Sequence, residues 1–504
     1  FEFGSVSLLR PSLNLVRDAQ GNWNVERWLP PAPQNHARPG FVGPRAASAG
    51  PREAQLYQID VDGGRINFKQ ANDKSPFALL DVAGSVERND AGHWQLDLEA
   101  RPMRAGVELQ DIGTLRLRGT IAGTSARLQP ADLNLTWRAA SLADALRLAS
   151  EQDYGVRGEL ALDLNAHVAP PRPVSPASGG PGGAQWSITG TARLTGIHAW
   201  NLTEHSTDPA VNLSLDADWR LGQAQAEIRK LLVEMPGSHL QVEGGVEWGH
   251  GFRPQLHIAS SALALEDALS WYRAFLPGVP EDLRAQGVLG VDVALGGWPI
   301  QLQQGAIASA GGTLAAKSLP APLQIGPVNA SVSSSGLDFA PTEISFSPAM
   351  PVIAEKKNSA AAKGHGEFVI RGSVSPDADG IFRWPLNWNC SIEGETSHAE
   401  DWVQLSALLA QPLQSGWTAS GGVAVKARGA RRSDDPVPMW TGTLDFRGLS
   451  VKPAYMNRPV LLQAAHVDFS PARQAITVTA AEALGASWKG TLSRKFSAPI
   501  PTVS

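Results

Sequence analysis

Val156-Arg157-Gly158-Glu159-Leu160-Ala161-Leu162-Asp163-Leu164-Asn165-Ala166-His167-Val168 alternates without a break. Val156, Gly158, Leu160, Leu162, Leu164, Ala166 and Val168 fall on one side. Arg157, Glu159, Ala161, Asp163, Asn165 and His167 fall on the other. Successive side chains of an extended chain point to opposite faces, so this is an antiparallel strand that is apolar on one face and wet on the other. Val211–Arg220 repeats the pattern. Val211, Leu213, Leu215, Ala217 and Trp219 oppose Asn212, Ser214, Asp216, Asp218 and Arg220. Similar runs lie at Val288–Leu295, with Val291, Val293 and Leu295, and at Val328–Ser334. Two more are Val423–Ala427, with Val423 and Val425, and Leu444–Phe446.

These strands belong to a unit that recurs three times. Each copy has an amphipathic helix, a glycine-bearing step and a run of alternating strands. The helices read Ser141-Leu142-Ala143-Asp144-Ala145-Leu146-Arg147-Leu148, Ala264-Leu265-Glu266-Asp267-Ala268-Leu269-Ser270-Trp271 and His398-Ala399-Glu400-Asp401-Trp402-Val403-Gln404-Leu405. Asp144, Asp267 and Asp401 are spaced by 123 and then 134 residues. A period this long, filled with strands, indicates an array, and arrays build long binding surfaces. Ser141 reads as an N-cap, with Asp144 at the capping-box position. All three aspartates read as helix caps and dipole partners rather than as an acid pair. Trp186-Ser187-Ile188, Trp298-Pro299-Ile300 and Trp440-Thr441-Gly442 form a second landmark, each restarting a strand after a linker of different length.

Bulk composition narrows the classes. The 504 residues are 43% hydrophobic and 18% charged, which predicts an ordered chain. A net charge of −5 argues against a nucleic-acid partner. The 50 glycines and 37 prolines lie between strand patterns, where turns need them. Cys390 stands alone, so no intrachain disulfide forms, and it reads as a small apolar residue. The most apolar uncharged stretch, Val293–Ala316, carries five glycines, a proline and three glutamines, and does not suit a bilayer.

Five segments follow. Residues 1–55 are an N-terminal strand and turn with a flexible loop from 30. Residues 56–137 are a first β segment, in which Tyr57–Val61, a turn at Asp62-Gly63-Gly64 and Arg65–Phe68 read as a hairpin. Further strands are predicted around Phe77–Arg88, His93–Ala100, Gly106–Ile121 and Ala126–Trp137. Residues 138–262, 263–395 and 396–504 are the three repeats. Residues 24–29 read as a short helix or loop. Residues 169–185, 354–366 and the charged stretch 428–438 read as linkers or loops.

Chemistry-bearing motifs are absent. There is no His-Glu-x-x-His, no Gly-Lys of a phosphate loop and no Gly-x-Ser-x-Gly elbow. Asp60-Val61-Asp62-Gly63 and Asp377-Ala378-Asp379-Gly380 begin like calcium loops, but the twelfth positions are Ala71 and Trp388, so both read as turns. Lys363-Gly364-His365-Gly366-Glu367 reads as a solvated loop. No metal or cofactor is expected, and no catalytic residue is assigned. The 16 tryptophans against 4 tyrosines read as core fillers or as groove-lining platforms.

The segment Ser7-Leu8-Leu9-Arg10-Pro11-Ser12-Leu13-Asn14-Leu15-Val16-Arg17-Asp18-Ala19-Gln20-Gly21-Asn22-Trp23-Asn24 resembles the signature of the AsmA-like family of bridge-like lipid-transfer proteins. There a strand ending in Arg-Asp is followed by a glycine and an Asn-Trp pair. Tyr57–Ile66 resembles the family's next hairpin. The resemblance implies a repeating β-groove: an elongated, curved, mostly antiparallel sheet with an apolar inner face and a few short helices. It implies a periplasmic protein of the bacterial envelope, held in the inner membrane by an N-terminal anchor ahead of Phe1. It also implies phospholipid carried between the inner and outer membranes, with membrane-protein partners at the ends.

The residues expected to line the groove are Val156, Leu160, Leu162, Leu164, Val211, Leu213, Leu215, Trp219, Val291, Val293, Leu295, Val423, Val425, Leu444 and Phe446. Three short helices are too little cover for some two dozen strands, which leaves an apolar trough. The competing readings are an envelope scaffold for outer-membrane biogenesis, whose apolar face is a closed core, and an enzyme or carbohydrate-binding solenoid. The first predicts a filled interior. The second predicts carboxylates or aromatics clustered in one concavity.

Overall fold

The computed structural model of the chain describes residues 4–17, 24, 58–70, 72–88, 93–124, 127–169, 185–220, 224–248, 253–298, 300–319, 321–346, 366–378, 380, 386–408, 418–435, 438–453, 456–483, 485–495 and 502–503. The predicted segments 25–55, 170–184 and 354–365 lie outside them. The fold is mainly β with three short helices among the described residues. Contacts divide the chain into two compact units: Phe1–Ser206 with Ala210–Val233 and Glu247–Gly249, and Thr207–Pro209 with Glu234–Val246 and His250–Ser504.

Unit 1 runs β1 (Ser5–Leu9), β2 (Ser12–Arg17), β3 (Gln58–Gln70), β4 (Asp73–Arg88), β5 (Trp94–Arg104), β6 (Thr114–Thr124), β7 (Arg127–Ser141), α1 (Leu142–Ser150), β8 (Val156–Ala169), β9 (Gln185–Ala199), β10 (Val211–Arg220) and most of β11 (Gln225–Met235). From β3 to β10 each strand pairs antiparallel with the next. Unit 2 runs β12 (Ser238–Glu247), β13 (Arg253–Ala264), α2 (Leu265–Phe275), β14 (Arg284–Gly296), β15 (Gln301–Ser309), β16 (Gly312–Ala315), β17 (Leu323–Ile325), β18 (Val328–Ser333), β19 (Gly336–Phe346), β20 (Glu367–Ser375), β21 (Asn387–Thr396), α3 (Ala399–Leu408), β22 (Thr418–Arg431), β23 (Met439–Lys452), β24 (Val460–Phe469), β25 (Arg473–Ala483), β26 (Ala486–Lys495) and β27 (Thr502–Val503). Its ladder is antiparallel from β19 to β27. Each helix joins two strands that pair with each other, so it sits at one end of the ladder.

Three local expectations are corrected. Residues 57–68 are not a hairpin, because β3 runs straight through Asp62-Gly63-Gly64. Gly63 takes φ +64° and the β3–β4 register slips at Val61 and Gly64, so the glycines make a bulge. β1 and β2 pair parallel with β3 on either side of that bulge. The Arg10 amide donates to the Asp62 carbonyl at 2.7 Å and the Arg65 amide to the Pro11 carbonyl at 2.7 Å, bridging the break. Residues 106–113 are loop rather than strand, and β6 begins at Thr114. Residues 428–431 belong to β22 rather than to a linker.

Closed core is concentrated where the helices lie. In unit 2, Leu269 of α2 packs with Val279, Leu283 and Ala285, while Leu405 and Leu408 of α3 pack with Leu319, Leu323 and Phe346. Leu314 and Ala316 touch both clusters. Trp402 sits edge-on against Phe346 and Phe368, with centroids 5.1 and 4.3 Å away. Helix stripes of this kind bury apolar area worth roughly 1.5–3 kcal/mol per large side chain.

The recurring aspartates do something other than capping. Ser141 makes no side-chain cap bond. Asp144 is buried, accepting the Gln110 and Asp111 amides on one carboxylate oxygen at 2.8 and 2.6 Å and Arg147 of its own helix on the other at 3.0 Å. Asp267 is buried too, accepting the Gly237 amide at 3.0 Å and the Ser238 hydroxyl. The glutamate before it clips the other side: Glu266 accepts the Ala285 amide at 2.6 Å, and Glu400 accepts the Gly421 amide at 3.2 Å. Asp144 in α1, Glu266 and Asp267 in α2 and Glu400 in α3 therefore tie each helix to backbone that is distant in sequence.

Candidate apolar binding face

Cross-strand partners in a ladder share a face, so register converts single-strand alternation into rows. In unit 1 one row runs Gly84, Leu98, Leu117, Leu135, Leu164, Gly190, Leu215 across β4 to β10. The next runs Ala100, Leu115, Trp137, Leu162, Ala192, Leu213. A third joins Leu160, Leu194 and Val211. Val156 lies opposite Ala199 near the α1 end, and Trp219 lies opposite Trp186 at the far end.

Unit 2 is built the same way. Phe368, Gly394, Val425, Leu444, Val467, Ile476 and Leu492 form one row. Thr396, Val423, Phe446, Ala465 and Val478 form the next. Val291 leads through Ile307, Ala330, Phe339, Gly372, Cys390 and Gly429 to Trp440. Val293 leads through Gly305, Val332, Leu337, Val374 and Trp388 to Arg431. Leu295 pairs with Leu256 and Leu302.

Exposure separates a covered face from an open one. Of the fifteen lining candidates only Val211 and Val293 are buried, and the other thirteen are half-buried. A strand at the centre of a sandwich would bury such residues. A pocket of about 420 Å³ on the unit 2 face is lined by Phe339, Ile344, Ile370, Val374, Trp388 and Cys390 among others. Burial pushes the Cys390 thiol up. Leu98, Leu117, Leu135, Phe368, Val467 and Ile476 share these rows, Ile370 lines the pocket, and none of the seven was among the candidates. Leu115-Arg116-Leu117-Arg118 carried the same alternation signal.

The opposite faces are polar. In unit 1 Ser85, Asp97, Arg118, Asn134, Asn165, Thr189 and Asp216 form a row. A hydrogen bond from Arg116 holds the Asp97 carboxyl below its ordinary range, assisted by Arg118. The Gly155 amide, then Arg147 and Arg157, lower Asp153 further. In unit 2, His257 faces Asp292 at 2.9 Å and Glu243 at 3.6 Å, and His466 faces Asp445 at 2.7 Å and Asp468 at 3.4 Å. Hydrogen bonds to Asp292 and Asp445 raise the two imidazoles above their ordinary value. A hollow of about 560 Å³, larger than the apolar pocket, lies among Arg371, Ser391, Glu393, Lys426, Arg428 and Thr443 on this polar side. Its Lys426–Glu393 pair, at 3.1 Å, is well exposed, as solvated ladder charges are. Size alone does not make it the binding surface, because most of its lining is ladder polar groups and no aromatic side chain lines it.

Among the described residues no three of His, Cys, Asp and Glu gather as a metal site, and no helix is long and apolar enough to cross a membrane. Asp377, of the second calcium-like turn, accepts the Asn387 amide and the Ser433 hydroxyl, both at 2.6 Å. Compared with known proteins, the chain matches no family model, no curated protein and no solved structure.

Proposed function

We propose that this chain binds phospholipid tails on the apolar faces of its two units and passes them along those faces, as a periplasmic carrier between the inner and outer membranes. The observation that supports it is the half-exposed state of Leu160, Leu162, Leu164, Leu213 and Leu215 in three adjacent rows whose cross-strand partners are all apolar or glycine. Exposed contiguous apolar surface on a folded protein marks a binding face. Acyl chains suit this one, because burial contributes roughly 0.8 kcal/mol per CH₂ and a wall of leucine and valine imposes no register. Sliding exchanges like contact for like contact, so the role is binding and transfer rather than catalysis. Anchoring ahead of Phe1 and membrane-protein partners at the ends belong to the same reading. The scaffold alternative draws on the closed clusters beneath α2 and α3, which fill only the helix end of unit 2.

Native mass spectrometry of the purified protein should show co-purified phospholipid. Leu162→Asp places a charge in the row and should stop phospholipid transfer between vesicles while the circular dichroism of the sheet persists. Unchanged transfer by a folded Leu162→Asp protein would sink the proposal.

A further inference from the structure

The row that ends at Arg431 breaks its own pattern. Val293, Gly305, Val332, Leu337, Val374 and Trp388 are apolar, and a guanidinium then follows on the same face. Arg431 is half-buried, and its Nε is buried with no hydrogen-bond partner. Among the described residues no carboxylate pairs with it. Trp388 lies directly across the ladder from it, and Trp440 stands 5.7 Å from Trp388 with the rings tilted by 56°. Both indoles lie at the end of their strands away from α3. The apolar pocket of about 420 Å³ begins at Trp388. Unit 1 repeats the juxtaposition, with Arg88 directly across from the buried Trp94 at the end away from α1.

Building on the lipid reading, we propose that unit 2 holds one glycerophospholipid in a fixed orientation, with a tail in the pocket and its phosphate on Arg431. The paired indoles of Trp388 and Trp440 border the ester region. The pocket is within the ~300–1,000 Å³ range of small-molecule sites. Indoles prefer the boundary where one end is apolar and the other wet. A buried guanidinium nitrogen without a partner is costly unless an anion completes it, and phosphate matches the planar fork. The polar hollow on the other face lacks this arrangement, because no tryptophan lines it.

Cys390 lines the pocket and is the chain's one thiol, so it reports occupancy without any substitution. Maleimide modification of Cys390 in the intact chain should be slowed by dioleoyl phosphatidylglycerol and by dioleoylglycerol, which shares its tails and lacks the phosphate. Half-protection should need about tenfold less phosphatidylglycerol than dioleoylglycerol, as for one charge-assisted hydrogen bond. Arg431→Gln should bring the two lipids to within about twofold of each other while dioleoylglycerol protects as before. Arg431→Lys should keep part of the preference. Equal protection by both lipids in the wild-type protein overturns the phosphate site and needs no variant. A full preference surviving Arg431→Gln overturns it as well. Protection by neither lipid overturns the site together with the lipid reading beneath it, which separates that failure from the other two.

Discussion

At the scale of single residues, position in the sequence and direction in the fold part company. Asp144 and Asp267 stand three residues into their helical motifs, and that spacing suggests a cap. In the structure both are buried and accept amides 30 or more residues away. Asp267→Ala removes an acceptor from the Gly237 amide and the Ser238 hydroxyl at a buried position. It should lower unfolding stability by about 2–4 kcal/mol in urea titrations. Ser141→Ala should change stability by less than about 0.5 kcal/mol, because no cap bond is lost. A loss near 1 kcal/mol for Ser141→Ala would restore the capping role. The alternation that selected Leu162 and Leu215 was legible because period two is a local property of the chain. The partners of Asp267 were not, because no sequence spacing records which distant amide a fold delivers. His257 carries a pH dependence of the same non-local origin. Asp292 raises its folded value above the unfolded one, so the protonated ring is favoured in the native state. Its contribution is complete below the ordinary histidine value and is lost as pH rises through the raised one. The side chain is 42% exposed, so the effect is small. An NMR titration should place the His257 midpoint above that of an unstructured histidine, and Asp292→Asn should lower it.

At the scale of elements, strands were legible and their interruptions were not. A glycine pair after an aspartate reads as a hairpin turn, yet Asp62-Gly63-Gly64 is a bulge inside β3. Turn chemistry and bulge chemistry demand the same left-handed glycine, and only the pairing of β1 and β2 along β3 distinguishes them. Arg428–Arg431 looked like linker because charge outweighed alternation, although Gly429 and Arg431 continue the face of Val425 and Ala427. Gly84 shows what glycine does inside a strand. Its φ is +135°, and a Cβ there would stand 2.0 Å from the Asp97 carbonyl oxygen of the next strand. Gly84→Ala therefore forces β4 and β5 apart and should cost about 2 kcal/mol or more, measured by thermal unfolding. Gly245, where a Cβ meets nothing within 4 Å, is the control. Gly245→Ala should be neutral or stabilise by up to about 1 kcal/mol. Equal effects at the two glycines would mean that strand entropy, and not the close approach of β5, governs both.

At the scale of the molecule, each unit combines the same kinds of parts: an antiparallel ladder, one ion-paired face, one apolar face, and helices pinned by carboxylates, one in unit 1 and two in unit 2. The apolar rows could not be read from the chain, because rows exist only once register is known. The expectation that such faces would exist followed from alternation and from too few helices to cover them. Two faces assembled independently from the same parts should also fill independently. Leu215→Arg charges the long leucine row of unit 1 and leaves every residue of the unit 2 pocket in place. Native mass spectrometry of that variant should show fewer bound phospholipids than the wild-type protein. Protection of Cys390 by added phosphatidylglycerol should stay within about twofold of wild type, since the substitution leaves the pocket's own lining unchanged. Transfer should nevertheless fall to the level of a no-protein control. Binding needs only one intact stretch of rows, whereas passage along the chain needs all of them. Loss of Cys390 protection in Leu215→Arg would show instead that the two faces fill as one cooperative surface. Persistence of transfer would show that lipid reaches and leaves unit 2 without crossing the rows of unit 1.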